Sequence, residues 1–504
     1  MGSGEWNTRK YRARYRSGND FGDNLSISFR TSQIKSDGYR DFHNSKQNGM
    51  FFGLEHRGTK FINQFRALIG YENTQLAWDG IYLDDINDRE KRRFGKKAYT
   101  DDFLQKIFSI NTFGKLRENL FLRNVSYFVS GKGYYETEKS NQDFYSYNLD
   151  LNNQYTDAQE QSILTDLLRR KWIVNNYFGI VPTLTWNNDQ LRADLGTEIR
   201  FYSGDHFGEA TNFTNPSLSS LNENGWYRYY QYLGQKNSVT SFAHLVWNPK
   251  DQPFTIMLDL QSQKHRWNLD QEKIGHAFGH NLNADWNFFN PRMGIVWEVG
   301  DSMNVFINWG KAQKEPADNQ IIKADDVWSN PIMASAEVIT DLEWGMDFIL
   351  GNGHLRFNGY NIQYLNEQLK NIDVDQEGEY EYYSADSTNH FGFEWEGAFT
   401  LNSKWSFSLN GAQIMNYFSN GNSLPNIPQT LFNLFINYRP LESSLFFLHW
   451  RRVGHMYIDK ENIEAGMIDP YSILNIGAKY QYKNIDISLK LNNALDKLYS
   501  TYGY

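Results

Sequence analysis

The sequence predicts an all-β chain: a transmembrane antiparallel up-and-down β-barrel forming a single domain over residues 1–504. Three observations carry that prediction: a two-faced hairpin at 291–309, its recurrence along the whole chain, and a regular alternation of short turns with long polar connections. In PRMGIVWEVGDSMNVFINW, Met293, Ile295, Trp297 and Val299 alternate with Gly294, Val296 and Glu298, the period of a strand whose two faces differ. Gly300, Asp301 and Ser302 are turn residues, and Met303, Val305, Ile307 and Trp309 share one face of the run that follows. A three-residue turn sets Val299 opposite Met303, Trp297 opposite Val305, Ile295 opposite Ile307 and Met293 opposite Trp309. One face is then wholly apolar. The other carries Glu298 opposite Asn304 and Gly294 opposite Asn308.

The same unit recurs in order. Tyr11, Ala13 and Tyr15 alternate with Arg12, Arg14 and Arg16, and SGNDFGD turns the chain into Leu25, Ile27 and Phe29. Met50 to Glu55 and Phe61 to Tyr71 flank a turn at 57–60. Further hairpins centre near Lys115, Asn188, Lys250, Gly300, Gly351, Ser403, Leu441 and Lys483. Long connections lie between them, at about 72–102, 131–170, 203–235, 266–280, 311–335, 368–388, 418–427 and 456–468. About ten short turns imply about 20 strands. Two later hairpins fit the same register logic. Leu434, Ile436 and Tyr438 fall opposite Trp450, Leu448 and Phe446, and Leu474, Ile476, Ala478 and Tyr480 fall opposite Leu491, Leu489, Ile487 and Ile485.

Composition narrows the class. The chain has 32 Tyr, 35 Phe and 15 Trp, only 11 Pro, no Cys, and no composition shift that marks a domain boundary. Mean hydropathy is -0.65, because alternating strands average to a polar value. No run of about 18 apolar residues exists, which excludes a transmembrane helix but not a barrel. The net charge of -9 argues against a nucleic-acid partner. No disulfide or thiolate metal site can form. Met1 opens onto GSGEW with no signal peptide. A sandwich or propeller would bury one face and show a short sequence period, which is absent. Glu298, Asn304, Asn308, Asp486, Ser488 and Lys490 suit a wet lumen better than a core, and closure removes exposed edges. Short turns then face the periplasm and long loops the exterior.

Residues that could carry chemistry are few. His276 and His280 have a metal-like spacing but lie in or beside a loop, so no metal site is expected. Asp205 and His206 in SGDHFGE read as an acid–base pair, as a ligand contact, or as organisers of a loop that uses Gly204 and Gly208 for unusual backbone angles. Asp373, Asp375, Glu377, Glu379 and Glu381 lack the glycine of a compact calcium loop. Arg89, Lys91, Arg92, Arg93, Lys96 and Lys97 form a basic stretch, either a solvated loop or an attractor for an anionic ligand or lipopolysaccharide phosphate. Aromatics of the external loops are the better ligand candidates: Trp78, Tyr134, Tyr135, Tyr202, Trp226, Tyr227 and Trp328, with Asp205 and His206. Some instead belong to interfacial belts. No nucleophile elbow, phosphate loop or catalytic carboxylate pair is present, so neither an enzyme nor a cofactor is expected.

FNPRMGIVWEVGDSMNVFINWGKAQKEPA (289–317), SDGYRD (36–41) and IDPYSILNIGAKYQYKNIDISLKLNNALDKLY (468–499) resemble segments of TonB-dependent outer-membrane receptors. YSGDHFGE (202–209) and GKGYYE (131–136) resemble the Bacteroidetes-type branch. The resemblance spans the chain. It implies a multi-pass protein of a Gram-negative outer membrane, in contact with lipid and lipopolysaccharide. It also implies a 22-stranded wall and uptake of a scarce nutrient: an iron chelate, haem, cobalamin, a glycan or a peptide. The TonB complex would act through a plug. Neither plug nor TonB box is found, and both chain ends fall on the long-loop side. The plug and the first and last strands are therefore expected to be missing, through truncation or because a separate chain supplies them. A passive porin-like pore and a non-transport surface barrel are the alternatives.

Overall fold

The computed structural model describes every residue except 19, 76–79, 96–98, 375–379 and 504, and gives the backbone alone for 370–374 and 380–382. The first half of the chain builds β1 (Gly2–Gly4), β2 (Thr8–Arg16), β3 (Leu25–Ser36), β4 (Ser45–Arg57), β5 (Phe61–Gln75), β6 (Thr100–Arg117), β7 (Leu120–Asp143), β8 (Leu164–Asn187), β9 (Leu191–Thr211) and β10 (Tyr227–Trp247). The second half adds β11 (Phe254–Ile274), β12 (Asn281–Val299), β13 (Met303–Lys314), β14 (Glu337–Leu350), β15 (Gly353–Val374) and β16 (Tyr380–Thr400). β17 (Trp405–Phe418), β18 (Thr430–Tyr438), β19 (Ser444–Val453), β20 (Tyr471–Tyr482) and β21 (Ile485–Leu491) complete it. All belong to one 21-stranded antiparallel sheet in which each strand pairs with the next in sequence. Among the described residues β1 and β21 do not pair with each other. The two ends of the sheet nevertheless face one another. Arg89, before β6, forms an ion pair with Asp496, beyond β21, and Trp6 and Tyr39 line one cleft with Leu491 and Tyr499.

The register of β12 and β13 is the predicted one at every position: Val299 faces Met303, Trp297 faces Val305, Ile295 faces Ile307, and Met293 faces Trp309. Met293, Ile295, Trp297, Ile307 and Trp309 are all exposed, as an apolar outer face must be before lipid covers it. The β18–β19 pairing also follows expectation. In β20–β21 the expected pairing is displaced by two residues: Ile476 faces Leu491 and Tyr482 faces Ile485. The turn is the two-residue Lys483–Asn484, with Lys483 left-handed (φ 53°), so the strands meet closer to the tip. A slip of two keeps every side chain on its face, which is why alternation alone does not detect it.

The count of 21 strands agrees with the expected figure of about 20, and two further expectations are corrected. The extra strand is β1, whose Gly-Ser-Gly sequence has no pattern and is made extended only by pairing with β2. The turn expected near Lys115 lies at 118–119, because β6 continues to Arg117. Several long connections are much shorter than expected: 131–170 contracts to 144–163, 203–235 to 212–226, and 266–280 to 275–280. β7 to β11 therefore run 21 to 24 residues, whereas about 9–11 suffice to cross a bilayer. The surplus of ten or so residues lifts this part of the wall roughly 25 Å above the membrane.

The two faces differ in what they tolerate. Replacing outward Ile307 with Arg, near mid-membrane, should lower barrel stability by about 2–4 kcal/mol. Replacing inward Asn304 with Arg should cost less than about 1 kcal/mol. Reversible unfolding in lipid or detergent measures both, and equal losses would mean the faces are assigned wrongly.

Candidate functional site

The raised wall presents a set of rings to the lumen. Tyr202 of β9 is the direct cross-strand partner of Tyr177 on β8, and His206 that of Tyr232 on β10. Tyr177 and Tyr202 pack at 4.6 Å between ring centroids, and His206 stacks on Tyr232 at 4.6 Å and 8°. The Tyr202 hydroxyl lies 3.3 Å from His206 Nε2. Between them Gly204 is an empty step: a Cβ there would sit 2.2 Å from the Tyr202 hydroxyl. Gly208 makes the same allowance for Tyr230, at 2.2 Å. Neither glycine has a positive φ, so their role is to make room for rings and not to supply unusual backbone angles.

A loop closes over these rings. Residues 315–336, between β13 and β14, reach into the mouth and bury Ile321, Ile322 and Ala324 against Trp267, Leu269 and Ala284 on the inner faces of β11 and β12. Two ion pairs fix it to the ring-bearing wall: Lys236 Nζ to Asp318 Oδ1 at 2.6 Å, and Lys171, almost fully buried, to Asp325. Burial pushes the His206 pKa below its ordinary value, against the opposing influence of Asp318, Asp325 and Asp205. The ring is therefore held neutral. Below the shelf, Gln64, Arg66, Arg123, Asp194 and His244 join Phe113, Phe121 and Phe242 in lining an open recess of about 980 Å³ in the lumen wall.

A second core locks the crown from above. Phe144, Tyr147 and Leu149 pack with Phe213, Leu218, Leu221, Tyr229 and Ile274, joining the 144–163 and 212–226 connections to β10 and β11. Trp328 stacks on Tyr145 (5.2 Å) and donates its indole N–H to Ser146 Oγ at 3.1 Å, and Tyr145 stacks on His276 at 5.3 Å. His276 Nδ1 is 3.0 Å from the fully buried Glu160, whose pKa burial raises while His276 draws it down.

The expected ligand residues divide accordingly. Tyr135, Tyr202 and His206 line the lumen side. Trp328 and Tyr227 hold the crown together, the Tyr227 hydroxyl donating to the Asn148 carbonyl at 2.8 Å. Tyr134, Asp205 and Trp226 face outward: Tyr134 packs on Trp172, Asp205 accepts from Gln231, and Trp226 covers Arg170. Tyr134, Tyr135, Tyr202, Asp205, His206 and Tyr227 lie in strands and not in the loops expected of them, since Gly131, Gly133, Gly204 and Gly208 act as spaces for rings and not as strand breakers. Trp78, Lys96 and Lys97 lie outside the described residues, as does Asp375 with Glu377 and Glu379; Asp373 and Glu381 are described in backbone only. In the basic stretch, Arg89, Lys91 and Arg93 are paired to Asp496, Asp85 and Asp41. Among the described residues no His, Asp and Glu group could hold a metal ion. Tyr177, Tyr232, Lys171 and Lys236 escaped the sequence reading. The alternation in YYQYLG (229–234) was the available signal for Tyr230 and Tyr232.

A family profile described as "TonB dependent receptor-like, beta-barrel" matches residues 2–494. The chain belongs to the TonB-dependent receptor barrel family. No curated protein matched. Among solved structures, "Copper transporter OprC" superposes with a TM-score of 0.77 at 12% identity, covering 99% of this chain and 74% of that one. The closed form of "the Ferric-Catecholate import receptor Fiu from K12 E. coli" gives 0.69 at 16%, covering 99% and 77%. The "ferric citrate transporter FecA in the unliganded form" gives 0.76 at 11%, covering 98% and 72%. These likenesses extend over nearly all of this chain and establish its fold.

Because the lowered His206 pKa means that the ordered wall resists a proton which the opened wall accepts, the receptor barrel should lose local stability as pH falls below 6.5. Amide exchange at the outer ends of β9 and β10 should quicken between about pH 7.5 and about pH 5.5. His206→Phe, which keeps the stack, should flatten that dependence. An unchanged slope in the variant would assign the titration elsewhere.

Proposed function

We propose that this chain is the wall and external crown of an outer-membrane receptor for active uptake of a scarce nutrient, energised by the TonB complex acting through a plug. The membrane is that of a Gram-negative cell, and the work is transport and not catalysis. The observation that carries the reading is the ring-lined shelf of Tyr177, Tyr202, His206 and Tyr232 beneath a loop that two ion pairs hold across the mouth. Flat aromatic surfaces facing a wet lumen suit a planar or ring-bearing ligand by stacking. A loop fixed by charge and a small apolar contact is the element that can move when a ligand takes its place.

Tyr135, Tyr202 and His206 are the proposed contacts from the sequence, joined by Tyr177 and Tyr232. Tyr227 and Trp328 act by holding the crown. Neighbouring structures are named for copper, a ferric catecholate and ferric citrate, and an iron chelate fits this shelf as well as haem, cobalamin, a glycan or a peptide would. Asp318 and Asp325 place carboxylates beside the shelf, so an anionic chelate would displace the loop as it entered.

Growth of a deletion strain across limiting single nutrients identifies the cargo, and a defect confined to one of them is expected. With that nutrient as titrant, Tyr202→Ala and His206→Ala should each weaken binding by about tenfold, that is about 1.4 kcal/mol. Asp318→Asn combined with Asp325→Asn should open the 315–336 loop to protease by an amount on the order of 2 kcal/mol. Indifference of the deletion strain to every nutrient, or a large bilayer current that no nutrient blocks, would sink the receptor reading in favour of a passive pore.

A further inference from the structure

Not every lipid-facing position of the wall is apolar. Outward Met293 begins a row of direct cross-strand partners, Leu258, Leu245, Ala193, Trp186 and Leu120, all on the outer face. Four residues further up each strand, and so on the same face, stand Ser262, Ser241, Thr197, Pro182 and Asn124. Asn124 pairs with Thr112 of β6, Thr112 with Asn63 of β5, and Asn63 with His56 of β4. One row of small polar side chains therefore runs from β4 to β11. In the other half of the sheet the outward positions of β12–β13 and β18–β19 are apolar or aromatic throughout.

Because the strands tilt, a row perpendicular to them climbs through the membrane. Counted from the periplasmic end of each strand, it stands about 5 Å up at Asn63, about 10 Å at Asn124, about 15 Å at Thr197 and about 20 Å at Ser262. Exposed His56 lies at its foot, and exposed Lys264, two residues beyond Ser262, at its head. Ile110, Ile199 and Val239 stand along its upper side, and Leu122, Leu184 and Leu195 along its lower side. It is a polar furrow between apolar ridges. Thr112 donates to Asn63 at 2.9 Å, Asn124 to Ser126 at 3.0 Å, and Thr197 to the Thr240 carbonyl at 3.0 Å. Asn124 Oδ1 is sheltered and has no hydrogen-bond partner among the described residues. Pro182 has no N–H for the ladder, and β8 and β9 pair at Ile180–Ile199 and next at Thr183–Gly196, skipping two positions. Unmet polar groups in hydrocarbon call for a polar visitor.

We propose that this diagonal furrow carries glycerophospholipid headgroups through the bilayer, so that the barrel equilibrates such lipids between the two leaflets. The inference rests on the membrane placement proposed above and not on the cargo or the plug. Three features fix the occupant. The furrow joins one interface to the other, which a headgroup must cross while its acyl chains stay in the surrounding hydrocarbon. It bends with eight of the 21 strands. A partner helix about 10 Å across would cover roughly two strands spaced about 4.8 Å apart, and a second barrel, itself convex, little more. Its middle groups are neutral hydroxyls and amides, which replace water around a phosphodiester without trapping it as a fixed cation would. His56 and Lys264 supply N–H donors at the two ends, where the phosphate enters and leaves. No energy source is engaged, so lipid moves in both directions.

The test uses the full-length protein reconstituted in phosphatidylcholine vesicles that carry a trace of fluorescent short-chain phosphatidylcholine in both leaflets. Albumin added outside extracts the label and is too large to enter the lumen, so an open pore does not imitate exchange. Heat-modifiable gel mobility controls folding. Vesicles without protein should release the outer-leaflet label alone, and those with the wild type nearly all of it. Asn124→Leu with Thr112→Val should slow release of the inner-leaflet label by about tenfold. Thr197→Val with Ser241→Ala, at a different height, should slow it in the same direction. Leu122→Ala, on the ridge beside the furrow, should exchange like the wild type. Inner-leaflet label that the wild type leaves unextracted, undiminished exchange in the folded furrow variants, or an equal loss in Leu122→Ala would each overturn the proposal. So would a copurifying polypeptide lost from the furrow variants while the wild type moves no lipid. Nutrient uptake by the same variants should be unchanged, and loss of uptake together with exchange would assign these residues to the fold and not to lipid movement.

Discussion

A bilayer offers backbone amides no partner, and that constraint governs this chain from end to end. Each N–H and C=O within the hydrocarbon must be met by the adjacent strand, so the chain runs as an antiparallel meander and its ends curl towards each other. Once pairing is obligatory, side-chain direction alternates without choice. Outward positions become apolar and inward ones polar because lipid and water lie on opposite sides of a wall one residue thick. The hairpin at 291–309 shows the whole rule in nineteen residues: Trp297 and Trp309 outward, Glu298 and Asn304 inward.

The same pairing continues where the membrane no longer demands it. From β7 to β11 the ladder climbs about ten residues past the hydrocarbon edge, and water could satisfy its amides there. What sustains it is side-chain packing: Tyr202 over Gly204, Tyr230 over Gly208 and Phe103 over Gly133. Each ring occupies the volume that a neighbouring glycine leaves free, so residues of poor strand propensity become the ones that let the strand exist. The loops then have a rigid rim on which to pack, and the buried cluster around Tyr147 and Tyr229 forms on it.

This explains what could be read in the sequence. Alternation with short turns fixed the fold class, the ten turns on one rim and the register of β12–β13 and β18–β19, because in each a turn of defined length leaves one pairing that keeps the apolar face whole. It could not separate registers two residues apart in β20–β21, where either choice preserves the faces. Glycine was the main source of error. In GKGYYE and YSGDHFGE it looked like a strand breaker, because the ring filling its space came from a position whose direction was not yet known. Of the site, Tyr202 and His206 were legible through their motif. Tyr177 and Tyr232 sit in ordinary strand sequence, and the Lys171–Asp325 pair joins residues far apart in the chain, which no local pattern records.

Alternation also divides one stretch of sequence between two environments. Tyr134 and Tyr135 are adjacent, as are Asp205 and His206, yet the first of each pair faces outward and the second faces the lumen. Across a wall one residue thick, the two faces share every backbone hydrogen bond. Arg170, clasped by Tyr134 and Trp226 outside, sits next to Lys171, which anchors the loop inside. The outer stack thus ties β7, β8 and the 212–226 connection together at the height where the inner rings and their loop need a fixed frame. A ring-lined shelf so far above the membrane has no plane of lipid to steady it, and the outward aromatic and ionic contacts take that role. Rigidity on the lumen side is therefore a property of both faces, set by residues that no cargo would touch.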